Sequence, residues 1–394
     1  MLGSAQRSHK HLEPIAAWLE TEISPHPGLP KRERPRAGFH NEDHTVKAVQ
    51  LPTAQRIDLI EHPEPTPNQG EVVVRIVAAG ICANDLALIA GNNSIGKYPI
   101  IPGHECIGVI ESVGAKVRLE PGTWVTVYPS VGCGRCEACH AGRINHCSSF
   151  RVQGIDLDSG CFAEKMLVQA DQLLSVPESL RHAHGALIEP AAVAVHVNAR
   201  GQTKAGARVI VIGAGVIGLL TAQVARALGA TRVTLLDRFE QRREVCAKLG
   251  FEEFLCSPDG LGPEALVAAW GSDFDLIYDT ACTKATIAAG MNALRPGGKL
   301  VLVATPKADT TLEVDFPLLY RRELSLIVSR NYLPQDFIDA MALIEGQQVQ
   351  LEPLVTASFS LEEFPQAIHA LQNRPEAHIK ILIQPCQSSP EGNP

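Results

Sequence analysis

The feature that most narrows the possible folds is Gly213-Ala214-Gly215-Val216-Ile217-Gly218, set between an apolar run at 208–212 and a helical pattern at 216–228. Glycine patterns of this length recur by chance, but a strand before and a helix after give this one a physical purpose. Gly213 permits the tight turn, Gly215 lets the backbone approach a pyrophosphate, and Gly218 lets strand and helix pack closely. The helix start, with Val216 and Ile217, offers free amides and a partial positive charge to phosphate oxygens. Strand-like runs at 208–212, 232–237, 251–255, 275–279, 299–304 and 324–328 are mostly separated by helical stretches such as 216–228, 240–249 and 284–294. That alternation predicts an α/β fold, a doubly wound parallel sheet with helices on both faces.

Asp237 ends the second run, 19 residues after Gly218. A carboxylate there accepts from both ribose hydroxyls and repels a 2′-phosphate, so NAD is expected over NADP, with Arg238 beside it working against that preference. Arg242 is taken as a further cofactor-binding residue.

The first half has another rhythm. Short strand-like runs at 47–51, 55–60, 71–79, 106–113 and 124–127 are separated by Pro and Gly turns, which suggests a compact antiparallel barrel or sandwich. Residues 1–46 hold five Pro between positions 14 and 35 and a basic run at 31–36, and read as a solvated, mostly disordered extension. Glu13, Glu20 and Glu22 spoil the acid-poor signature of a targeting peptide.

Four of the eleven Cys stand at 133, 136, 139 and 147. Thiolates from Cys133, Cys136, Cys139 and Cys147 at this spacing can close a tetrahedral shell around one structural Zn²⁺, leaving no open position. A dispersed set, Cys82, His104-Glu105 and Glu189, has the mixed chemistry of a catalytic zinc site, but spacing alone does not reveal it. Thirty-five basic against 43 acidic residues, a net charge of −8, argue against a nucleic-acid partner. No run reaches the roughly 18 apolar residues of a membrane span, and no apolar signal core opens the chain. Eleven Cys, an odd number without a disulfide framework, point to a reducing, cytoplasmic setting.

Taken together, Gly80-Ile81-Cys82-Ala83-Asn84-Asp85, Gly103-His104-Glu105, the four-Cys loop and the glycine turn, in this order and at these separations, resemble the zinc-dependent medium-chain dehydrogenases. Glu189-Pro190 in place of a Cys resembles the sorbitol dehydrogenase branch, and Lys97-Tyr98-Pro99 its members acting on sugar acids such as L-gulonate or L-galactonate. The likeness spans about 47–384 and implies a GroES-like, zinc-binding catalytic domain at 47–194, a Rossmann NAD-binding domain at 195–333 and a return to the catalytic domain at 334–386. It implies Cys82, His104 and Glu105 as catalytic zinc ligands, and Glu189 as a carboxylate that binds the metal or holds its water. Asp85 is implied as a supporting residue, and Arg330 as an active-site residue that pairs with Glu189 or clamps a substrate carboxylate. Two zinc ions per chain, NAD, a small-molecule alcohol and a homodimer or homotetramer follow from the same likeness.

The chain departs from the family at Ala83 and Asn84, where Ser or Thr usually passes the substrate proton onward, at Leu86-Ala87-Leu88, which lack a common His, and at Cys161, a usual Gly. An amide orients an oxygen but does not relay a proton as a hydroxyl does. The expected function is oxidation of a secondary alcohol of a polyol or sugar acid with hydride transfer to NAD. The alternatives are another alcohol, such as threonine or a simple secondary alcohol, and a non-catalytic NAD-binding regulator on the same fold.

Overall fold

In a computed structural model, residues 44–257, 267–269, 271–305 and 311–386 are described. The expected N-terminal extension falls outside them up to residue 43, and the first strand, Thr45–Gln50, already includes the last two positions assigned to it.

Two sheets carry the architecture. The first has seven strands, ordered Val355–Phe359, Lys380–Ile383, Glu71–Gly80, Glu105–Val113, Trp124–Val127 and Leu173–Ser175, with Lys165–Gln169 also paired to Glu71–Gly80. Its pairs are antiparallel except the one between Val355–Phe359 and Lys380–Ile383. The chain's last strand therefore lies beside one formed about 300 residues earlier, with Leu382 opposite Gly80. Alternation sets the inner face: Val72, Val74 and Ile76 pack with Met166, Val168, Phe162 and Phe364.

The second sheet has six strands, all parallel, ordered Phe254–Cys256, Arg232–Asp237, Arg208–Ile212, Phe274–Asp279, Leu294–Leu302 and Ser325–Val328. Val209 and Val211 enter one core while Ile210 and Ile212 enter another on the opposite face. All four are fully buried, each contributing about 1.5–3 kcal/mol, so both faces require helical cover.

Helix Ile188–Gly201 joins the two halves. Ile188, Ala191, Ala192, Ala194, Val195 and Val197 are all buried, and the helix packs against Val216–Ala227 and Pro334–Glu345. The boundary expected after residue 194 thus falls inside one continuous helix. Its cause is burial on opposite sides, which erases the one-sided apolar stripe by which a surface helix announces itself. A second unexpected helix, Ala83–Ile89, interrupts the β-rich half immediately after Cys82.

Candidate active site and metal centres

Strand pairing assembles the dispersed set. Gly80 and Glu105 are cross-strand partners, so Cys82, two residues beyond Gly80, and His104, one before Glu105, meet at the strand ends. Their ligand atoms all lie within 4.8 Å of one another. Asp85 braces the group: it is fully buried, its Oδ2 accepts from the Cys82 N–H at 2.8 Å, and its Oδ1 lies 3.5 Å from His104 Nδ1. Burial on its own would lower the His104 pKa, but the Asp85 carboxylate outweighs it and holds the imidazole well above its ordinary range. Burial pushes the Cys82 thiol up.

Lys380, unnoticed in the sequence, completes this corner. It is 1% exposed, and its Nζ donates to Glu105 Oε2 at 2.6 Å and to Ile81 O at 2.8 Å. Its signal was a lone cation in the apolar run Ile379-Lys380-Ile381-Leu382-Ile383. Sulfur, ring nitrogen and carboxylate oxygen converging in a mostly buried place fit the donor set of a three-residue zinc site, with the second ring nitrogen of His104 steadied by Asp85.

Glu189 stands beside this set, not within it. It occupies the first turn of Ile188–Gly201 and is 5% exposed, and its Oε1 accepts a hydrogen bond from Tyr332 Oη at 2.5 Å. Burial, and then the neighbouring charge of Glu105, raise its carboxyl to about 7. Tyr332 was also missed; buried at 2%, it packs edge-on against Tyr128 and Phe337. It stands two positions after Arg330, the residue the sequence pointed to.

The four cysteines form a second convergence, again with all ligand atoms within 4.8 Å. Backbone donation from Arg135 is the main cause that brings Cys133 down to about 6, while burial and then the hydrogen bond with Cys136 push Cys139 up to about 12. Thiols this close resist joint ionisation unless a cation compensates them, which is what a closed four-thiolate zinc site provides.

At the glycine turn, Gly213 has φ +98° and a Cβ there would stand 2.2 Å from Thr280 Oγ1; at Gly218 it would meet Gly213 O at 1.7 Å. Around Gly215 nothing lies within 4 Å of that point, an open cradle ahead of the helix Val216–Ala227 that fits a pyrophosphate. Asp237 is tied to the turn: Oδ2 accepts from Ala214 N at 2.7 Å and Oδ1 from Phe239 N at 3.0 Å.

The alcohol dehydrogenase GroES-like domain family matches residues 68–178, and the zinc-binding dehydrogenase family matches 216–346. Sorbitol dehydrogenase of Bacillus subtilis is 30% identical over 353 residues, 88% of this chain and 99% of that one. The chain belongs to the zinc-binding alcohol dehydrogenase family. Two solved structures show the same fold at a TM-score of 0.81. An Escherichia coli CFT073 alcohol dehydrogenase complexed with NADH is 29% identical and aligns over 86% of this chain and 99% of its own. A zinc-binding dehydrogenase of Sinorhizobium meliloti bound to NADP is 30% identical, over 87% and 100%.

Two arginines of the dehydrogenase have partners that the sequence did not reveal. Arg242, 6% exposed, donates from Nη2 to Pro375 O at 2.5 Å and His378 O at 2.6 Å. Those bonds tie the start of the helix Arg242–Lys248 to the returning tail, while the charge of Asp237 also acts on the guanidinium. Arg330 does not pair with Glu189; it is exposed, its Nη1 donates to Asn145 O at 3.0 Å, and its guanidinium lies 4.6 Å over Phe150. Glu189 has Tyr332 instead. Asn84 lies half-buried on the first turn of Ala83–Ile89.

Proposed function

We propose that this dehydrogenase oxidises a secondary alcohol of a polyol or sugar acid, with NAD as hydride acceptor. The observation that carries it is the Cys82–His104–Glu105 convergence beside a separate, Tyr-held carboxylate, Glu189. A zinc ion at the three ligands supplies Lewis acidity toward the substrate oxygen, and NAD supplies the hydride acceptor. The chain's own residues do the rest. Gly215 and the helix start receive the pyrophosphate, and Asp237 receives the adenosine ribose. Asp85 orients His104, and Lys380 fixes one oxygen of Glu105, leaving the other free to ligate. Glu189 accepts the alcohol proton at Oε1 or Oε2, directly or through one water, with Tyr332 holding its orientation.

A polyol is favoured over a sugar acid, since the Arg330 guanidinium that would clamp a carboxylate is engaged by Asn145 and Phe150. The family relative named for sorbitol supports the same substrate class. A homodimer or homotetramer is supported by the edge strand Ser325–Val328, where Val328 is 63% exposed, and by Phe316 and Tyr320 exposed on the short helix Phe316–Arg321. Among the described residues no helix is long and apolar enough to cross a membrane, and eleven cysteines without a disulfide support a reducing, cytoplasmic setting.

The test is a panel of polyols, aldonates, threonine and simple secondary alcohols with zinc-loaded protein and NAD, followed by NADH absorbance. Turnover on polyols is expected. NAD binding with no turnover on any alcohol would establish the non-catalytic regulator instead.

A further inference from the structure

The four-cysteine lobe and the parallel sheet meet at a reciprocal clasp. Asn145 is 3% exposed and lies two residues before Cys147; its Nδ2 donates to Arg330 O at 3.1 Å, while Arg330 Nη1 returns a bond to Asn145 O at 3.0 Å. Phe150, three residues beyond Cys147, lies under the same guanidinium. On the other side of Arg330 the chain is pinned just as closely. Ser329 N donates to Leu302 O at 3.0 Å, Tyr128 Oη donates to Tyr332 O at 3.3 Å, and Asn331 between them has φ +53°. A left-handed non-glycine residue costs energy and persists where its surroundings over-determine it. The side chain so delivered is Tyr332, hydrogen-bonded to Glu189.

We propose that Arg330 and Asn145 are positioning residues that couple the four-thiolate lobe to the catalytic carboxylate. The lobe holds Asn145, Asn145 and Arg330 hold the segment 329–332, and that segment sets where Tyr332 places Glu189. The effect on rate rests on Glu189 being the proton acceptor, whereas the mechanical link does not. Displacing a catalytic group by about 1 Å costs as much as 10²-fold in rate, so a loosened clasp registers in kcat.

The experiment compares wild type with Arg330→Ala, Arg330→Lys, Asn145→Ala and Cys136→Ser. It measures metal content, backbone amide exchange, and kcat and KM on the best polyol and on an aldonate. Arg330→Ala is expected to keep both metal equivalents, speed exchange across 329–333 by about tenfold, and lower kcat by about tenfold on polyol and aldonate alike with little change in KM. Arg330→Lys recovers part of this, because a single ammonium can bond Asn145 O but does not stack on Phe150 as the planar guanidinium does. Asn145→Ala and Cys136→Ser, acting from the lobe's side, should speed exchange in the same segment. Unchanged exchange at 329–333 in Arg330→Ala or in Cys136→Ser overturns the coupling. A loss confined to KM for the aldonate overturns it too, and makes Arg330 a carboxylate clamp. Failure of the Glu189 reading appears elsewhere, as a Glu189→Gln variant with the wild-type rate.

Discussion

Burial and the charge of Glu105 hold the Glu189 carboxyl at about 7, and a base poised near neutrality both takes and releases a proton readily. The rate of the chemical step is therefore expected to rise with pH as Glu189 loses its proton, since only the carboxylate accepts. Glu189→Gln should keep zinc and NAD but slow single-turnover NADH formation by about 10²-fold and flatten its pH profile. Asn84→Ser, which supplies the hydroxyl that the family resemblance leads one to expect there, should be tolerated in the same assay. Asp237 has two duties, the ribose and the turn amides of Ala214 and Phe239. Asp237→Ser should narrow the preference for NAD over NADP by roughly tenfold, the equivalent of about 1.4 kcal/mol, measured as the ratio of kcat/KM values. It should also lower the melting temperature through the lost turn bonds. Equal use of the two cofactors by the wild type would mean that Arg238 governs the pocket.

The four-cysteine loop is the element whose integrity depends most directly on a metal. Cys136→Ser should release one metal equivalent and lower the unfolding midpoint by roughly 5–10 °C, checked by elemental analysis and calorimetry. This loop, the glycine turn and the alternating strands were legible because their causes are local: chelate spacing, a φ only glycine adopts freely, and side-chain periodicity. The Cys82–His104–Glu105 set became readable through the family likeness, its convergence being a product of the Gly80–Glu105 register. Tyr332 and Lys380 stayed hidden because each meets its partner across 143 and 275 residues, respectively. The helix Ile188–Gly201 was hidden by the reverse problem, apolar residues on too many faces to show a period.

At the scale of the whole molecule, two arginines link the halves: Arg330 to the metal lobe and Arg242 to the returning tail. A buried guanidinium bonded to two carbonyls is hard to replace, each charged hydrogen bond contributing about 1.5–3 kcal/mol. Arg242→Met should cost about 2–4 kcal/mol in urea unfolding while leaving NAD affinity unchanged by calorimetric titration. Lost affinity with unchanged stability would return Arg242 to the cofactor.

The tail strand has a consequence for biosynthesis. Glu105 is buried opposite Gly80, but its ammonium partner is Lys380, on the strand whose Leu382 pairs with Gly80. At about 5–20 residues per second, the roughly 300 residues between Gly80 and Leu382 take about 15–60 s to translate. Throughout that interval the nascent sheet has an open edge at Gly80 and Glu105 lacks its Lys380 partner. The catalytic corner therefore gains its Lys380–Glu105 pair only after this last described strand has been made.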